Sequence, residues 1–347
     1  MGVLVAHASG APAQEITGDE AQAPGLGATP FTIQGFGDID YIAGSSEGRN
    51  GFTQGAFDLF ATSRLGDHWS ALAELVFETD GNELASDLER FQFTYEQSDA
   101  LRISVGRMHN PLLRWPITNH HGLFNQTPIE RPIVARWEDE PGLWPTHFVG
   151  MLAQGRFSNV VGLNYALGVG NGRGRVIEEI QVGSDANNHR AVVASIGISP
   201  DAAPGLDLYV STYIDRIPGA AGDLRERDFT TSASYALGAI EVRGEWSRLR
   251  HQRIDSGVVY RTTGWYGLAG YRLSGRLSRL KPFVLVEKLQ ADRNEVFVGG
   301  AQDEEGVAAG LRWDANQWVA LKSDYRSRRI EEGRREGVVR AQLAVSF

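Results

Sequence analysis

The side chains best suited to chemistry crowd into one stretch of this 347-residue chain, residues 107–146. It holds the adjacent pair His120-His121, the arginines Arg107, Arg114, Arg131 and Arg136, and the acids Glu130, Glu138, Asp139 and Glu140. Two neighbouring histidines invite a metal reading. In an extended segment, however, adjacent side chains point to opposite faces, so the two rings do not converge on one ion. The chain has no cysteine and no His-Glu-x-x-His helix to complete a ligand set. No metal is expected, and the pair reads as hydrogen-bonded anchors of a loop. The run Gly168-Val169-Gly170-Asn171-Gly172-Arg173-Gly174 follows a predicted strand, as a phosphate cradle would. No amphipathic helix follows it, so it reads as a loop tip. No spacing of Ser, His and Asp suggests a nucleophile. Neither a catalytic residue nor a cofactor is expected.

The stretch is unusual as chain, too. Six of the thirteen prolines (Pro111, Pro116, Pro128, Pro132, Pro141 and Pro145) lie in it. Each fixes φ and removes a donor, so the stretch is neither a regular helix nor a central strand. Trp115, Phe124, Trp137 and Trp144 are residues that a disordered linker lacks. Connections in compact domains usually take ~4–6 residues. One of about forty, stiff and aromatic, must pack against something large.

Composition narrows what that larger body is. Charged residues make up 22% and hydrophobic ones 42%, with a mean hydropathy of −0.26. No apolar run approaches the ~18 residues of a membrane helix. Alternating strands, in contrast, average to such a hydropathy even when they cross a bilayer. The lack of cysteine excludes a disulfide framework. A net charge of −9 argues against nucleic acid, which asks for a basic face. Residues 1–13, an apolar run ending in Ala11-Pro12-Ala13, are expected to be the remnant of a signal peptide. Residues 14–30 read as a flexible lead-in, and the folded body as 31–347.

From Phe31 onward the pattern has period two. Ile33, Ile39 and Tyr41 oppose Gln34, Asp38 and Asp40, and Trp69, Ala71, Ala73, Leu75 and Phe77 oppose Ser70, Glu74 and Glu78. About sixteen such runs follow one another, most of roughly 8–12 residues, against the ~9–11 that a tilted membrane strand needs. Short links (66–68, 97–100, 157–159, 200–205, 238, 274–280, 314–317) alternate with longer polar ones (44–53, 80–87, 107–146, 171–188, 215–227, 251–260, 290–305, 327–337). That rhythm is expected of an all-β, 16-stranded antiparallel transmembrane β-barrel with short turns at one end and long loops at the other. Tyr and Trp gather near strand ends, as interfacial girdles would. The inward face then holds Arg64, Glu74, Arg90, Arg102, Arg243, Glu245, Arg272, Arg312 and Arg340 as lumen-lining charges, which water keeps hydrated.

In the last run, Val339, Ala341, Leu343, Val345 and Phe347 alternate with Arg340, Gln342 and Ser346. Here the chain resembles bacterial outer-membrane β-barrels, whose final strand ends in an aromatic that the barrel-assembly machinery recognises. With its strand count and long third outer loop it resembles the general porins. More weakly, FTIQGFGDIDY and RISVGRMHNPLL are similar to the phosphate-selective porin O/P-like superfamily. The resemblance implies a Gram-negative outer membrane, contact with its lipid, a homotrimer or a monomer, and Phe347 as assembly signal. It also implies that residues 107–146 fold into the lumen. Arg107, Arg114, His120, His121, Glu130, Arg131, Arg136, Glu138, Asp139 and Glu140 would then form the constriction of a channel for small hydrophilic or charged solutes. Two alternatives stay open: a barrel plugged by that loop, serving as a binding or scaffold protein, and an outer-membrane barrel enzyme.

Overall fold

A computed structural model of the chain describes residues 31–44, 50–80, 83–119, 123–138, 142–158, 161–177, 179–186, 188–219, 222–295, 297–298, 301–330 and 333–347. The expectations for residues 1–13 and 14–30 lie outside the described residues. The first strands are β1 (Phe31–Ala43), β2 (Gly51–Leu65), β3 (Trp69–Asp80), β4 (Glu83–Ser98) and β5 (Leu101–His109). A short helix, α1 (Arg114–Asn119), and two single 3₁₀ turns precede β6 (His147–Arg156) and β7 (Leu163–Asn171). Then come β8 (Arg190–Ile198), β9 (Leu206–Ile217), β10 (Leu224–Leu237), β11 (Ile240–Arg253) and β12 (Val259–Tyr271). The set ends with β13 (Leu280–Gln290), β14 (Glu304–Asp314), β15 (Val319–Ile330) and β16 (Arg334–Ser346). Each strand pairs antiparallel with its sequence neighbours, and β1 pairs with β16, so the sixteen form one closed barrel.

Side-chain direction follows the alternation. In β10, Leu224, Glu226, Asp228 and Thr230 are buried inside, whereas Arg225, Arg227 and Phe229 are exposed outside. The links depart from a strict long-and-short rhythm. The expected links 80–87 and 327–337 are mostly strand, since Asp80 pairs with Glu83 and Ile330 with Arg334. Polar hairpin arms keep their ladder bonds beyond the apolar belt, and composition does not separate a polar strand end from a polar loop.

The seam explains the last residue. Gly35 donates its N–H to the Phe347 carbonyl at 2.9 Å, and Phe347 donates back at 3.0 Å. The Phe347 ring stacks on Phe57, with centroids 5.8 Å apart, and covers Gly35, where a Cβ would collide with it. Gly35→Val and Phe347→Ala should therefore each weaken closure, by about 2 kcal/mol from lost or obstructed burial. Urea unfolding in detergent and the mobility of unheated protein on a gel measure this. Native-like behaviour of both variants would rule the packing out as a source of closure.

Candidate functional site

The segment between β5 and β6 is tied at its neck, where the Asn110 N–H bonds the Thr146 carbonyl at 2.7 Å. Within it α1 carries Pro116 in its first turn, where the missing N–H costs nothing. Arg114 bonds Asp207 of β9 through both Nε (3.0 Å) and Nη2 (2.9 Å), and its backbone N–H reaches Glu245 of β11 at 2.9 Å. Trp115 lies edge-on to Tyr266 of β12 (5.4 Å) and beneath Arg243 (5.8 Å).

Further along, Arg312 of β14 donates to the carbonyls of Phe124 (2.6 Å) and Gln126 (2.8 Å), and Lys322 of β15 to those of Leu123 and Pro128. Glu130 meets Arg326, Arg328 and Arg340 together. The Ile133 N–H bonds Glu287 of β13 at 2.8 Å, and Arg136 grips Glu304 of β14 with two bonds, at 3.1 and 2.9 Å. Arg131 lies over the Trp137 ring at 4.7 Å, and Arg107 pairs with Asp87 and Glu89 of β4. His120, His121, Asp139 and Glu140 lie outside the described residues.

Apolar packing joins the same partners. Leu112, Leu113, Trp115, Ile133, Val134 and Trp144 form one buried cluster with Phe148, Val193, Leu268, Phe283 and Leu285 of the strands. Gly264 of β12 has no Cβ at the point where Val134 and Trp144 approach it. These apolar side chains stand beside inward carboxylates such as Glu226 and Asp228 of β10 and Glu245 of β11. Glu74 and Arg90 pair with each other, Glu245 accepts from Arg114, and Arg340 and Arg312 bind the segment. Arg64 and Arg272 sit instead at the rims. Arg64 bonds the turn carbonyl of Asp67, and Arg272 pairs with Asp314 just past the end of β12. Alternation assigns a face and says nothing of depth along the strand.

Beside the apolar cluster, whose Met108, Leu152 and Ala166 form part of its lining, a cavity of about 420 Å³ opens between the wall and the first residues of the segment. Arg90, Arg102, Arg114 and Arg156 line it, with Gln92, Gln154 and Asn164 between them. Among the described residues no carboxylate lines it, and Arg102 and Arg156 have no ion-pair partner. The surplus is cationic, so a small anion would be drawn there.

Sequence reasoning missed Asp207, Glu287, Glu304, Arg326 and Arg328. The run around Glu287 shows why. Phe283, Leu285 and Leu289 point inward and Val284 and Val286 outward, so both faces of β13 are apolar and the alternation carries no sign. Asp207, Glu304 and Arg328 lie close to strand ends, where pattern merges with loop composition.

Glu138 was expected to face the lumen. It is buried, and its carboxylate accepts from the N–H groups of Thr146 (2.6 Å) and His147 (2.9 Å), from the Thr146 hydroxyl, and from the His147 ring. Burial alone would raise its pKa, but the His147 charge and these bonds outweigh it and hold the group at about 2, against an ordinary 4.5. A depressed pKa stabilises the fold above the ordinary value and is lost as pH falls toward the depressed one. The contribution, at most about 3 kcal/mol, should thus be intact above pH ~4.5 and fade toward pH ~2. Glu138→Gln should remove this acid-sensitive part. Limited proteolysis and denaturant unfolding between pH 6 and pH 2 test it, and identical pH slopes for native and variant protein would exclude it.

No protein-family model matches the chain, and no curated relative matches it. Solved structures do. An anion-selective porin from Comamonas acidovorans superposes with a TM-score of 0.68 at 15% identity, covering 92% of this chain and 100% of that one. OmpF of Salmonella typhi, in complex with daunomycin, gives 0.64 at 12% identity, covering 92% and 98%. The outer membrane channel DcaP of Acinetobacter baumannii gives 0.63 at 11%, covering 91% and 97%. The structural neighbours of this chain are bacterial outer-membrane porins, and it shares their closed, sixteen-stranded barrel.

Proposed function

We propose that the protein is an outer-membrane diffusion channel for small hydrophilic solutes, preferring anions, in which residues 107–146 cross the lumen and set its width. The observation that carries this reading is the spread of anchors. One segment bonds inward side chains of β9, β11, β13, β14, β15 and β16. Anchors spread over the strands from β9 round to β16 support a course across the lumen. Most charges of the segment, in this view, brace it against the wall. The surplus at Arg102 and Arg156 sets the sign of the passing ion, since lining charge and diameter govern selectivity. Phe347 would serve both the seam and recognition by the assembly machinery.

A second reading, a barrel closed by the segment and used for binding, is favoured by the apolar cluster that joins the segment to β6, β8, β12 and β13. One set of experiments separates them. In planar bilayers the native protein should give discrete conductance steps. In a salt gradient the reversal potential should favour the anion, and Arg102→Ala with Arg156→Ala should lower that preference roughly twofold or more. An unchanged reversal potential would remove these arginines from the pathway. A native protein that stays silent, with steps appearing only after Glu130→Ala and Arg136→Ala cut the anchors, would establish the closed form.

A further inference from the structure

The cavity beside Arg102 and Arg156 changes character along its depth. At the short-turn end, Arg156 of β6, an exposed residue, lies across from Asn164 of β7. One inward-facing row deeper come Arg102, Gln154 and Ala166, and the next row holds Ser104 and Leu152. Met108 lies further along β5 and is buried, as Leu152 and Ala166 are. Pro111 and Ile117 of the segment complete an apolar floor. Charged and amide groups thus form the lip of the cavity, and apolar side chains its inner end.

The partners of the four arginines decide which of them are available. Arg90 is taken by Glu74, and Arg114 by Asp207. Arg102 and Arg156 have no ion-pair partner among the described residues, and the buried Nε of Arg102 has no hydrogen-bond partner there. Glu96 of β4, across from Arg102, is exposed and does not line the cavity. Arg102 and Arg156 stand diagonally on adjacent strands, at the ~7–8 Å separation that long side chains bridge. Two guanidinium groups so placed can converge on one carboxylate, each with paired N–H donors.

An inorganic anion would satisfy the lip and gain nothing from the floor. A solute with an apolar body would also displace water from Met108, Ile117, Leu152 and Ala166, which is favourable in proportion to the apolar area covered. The volume of about 420 Å³ falls within the ~300–1,000 Å³ of small-molecule pockets, which likewise join an apolar lining to a few placed polar groups. We propose that this cavity binds organic carboxylates with a compact apolar body, such as aromatic acids. Arg102 and Arg156 hold the carboxylate, and the floor covers the body. The part of this site in solute passage rests on the channel reading above, whereas the binding itself does not.

The full chain, folded in detergent, would be titrated with benzoate, acetate and benzamide, with inorganic phosphate as competitor, and read by ligand-observed saturation-transfer NMR. Benzoate should bind about tenfold or more tighter than acetate, which lacks the body, and than benzamide, which lacks the charge. Arg102→Gln with Arg156→Gln should cost about tenfold or more in benzoate affinity, and the corresponding Lys pair should recover part of it. Ile117→Asn should lower the ratio of benzoate to acetate affinity several-fold. If the double Gln variant fails to fold, Arg156→Gln alone, at an exposed position, should lose several-fold. The titration needs no current, so a protein that is silent in bilayers yet binds benzoate in this way would defeat the channel reading and support the site. Equal binding of benzoate and acetate, equal benzoate binding by native and Gln proteins, or displacement of benzoate by an equal concentration of phosphate would overturn the proposal, whether or not the protein conducts.

Discussion

A strand in hydrocarbon finds no water to bond, so every N–H and carbonyl must be met by another strand. Only a closed sheet leaves none over. In this chain that condition is completed at one place, where β1 meets β16 and the Gly35 and Phe347 backbones bond each other. The absent Cβ at Gly35 lets the Phe347 ring lie flat across the seam, so side-chain packing covers the join.

Closing the ring creates an interior that a bare sheet does not fill. The described residues between β5 and β6 bond and pack against the wall in two ways. Strands β6 to β14 offer Phe148, Val193, Leu268, Phe283 and Leu285 to Trp115, Val134 and Trp144. Strands β13 to β16 offer cations and carboxylates that take up the segment's carbonyls, N–H groups and charges, as Arg312, Lys322 and Glu287 do. Removing charges from water is costly unless they are paired and hydrogen-bonded. Glu130 and Arg136 meet that condition, and so stiffen the segment. What they leave open is the cavity near Arg102 and Arg156, where charge is not cancelled.

The outer surface obeys a different rule. Apolar side chains cover its belt, and Trp246 and Trp265 mark a level on it. Charges beyond that level are tolerated in water or headgroups, yet they are usually mixed in sign. Arg225, Arg227, Arg248, Arg250 and Arg261 on the outer face of β10 to β12 depart from that, while Arg216 and Arg253 nearby have acidic partners.

The barrel was legible in the chain itself, because the two-residue period of a strand writes the two faces of the wall alternately into the sequence. Phe91, Phe93 and Tyr95 against Arg90, Gln92 and Glu96 needed no structure to be read as one wall. The prolines and tryptophans of 107–146 likewise determined that this stretch is rigid and packed. Sequence could not say what it packs against, since Arg136 and Glu304 lie 168 residues apart and no local pattern links them. It also placed Glu138 among the charges facing a lumen, where folding instead turned that carboxylate onto the N–H groups of Thr146 and His147. Composition and period act over neighbouring residues, and they determined the strands, their faces and the stiff segment. Partnership between distant charges arises only when closure brings strands face to face with the segment, so the tertiary structure alone decided which arginines are braces and which remain free.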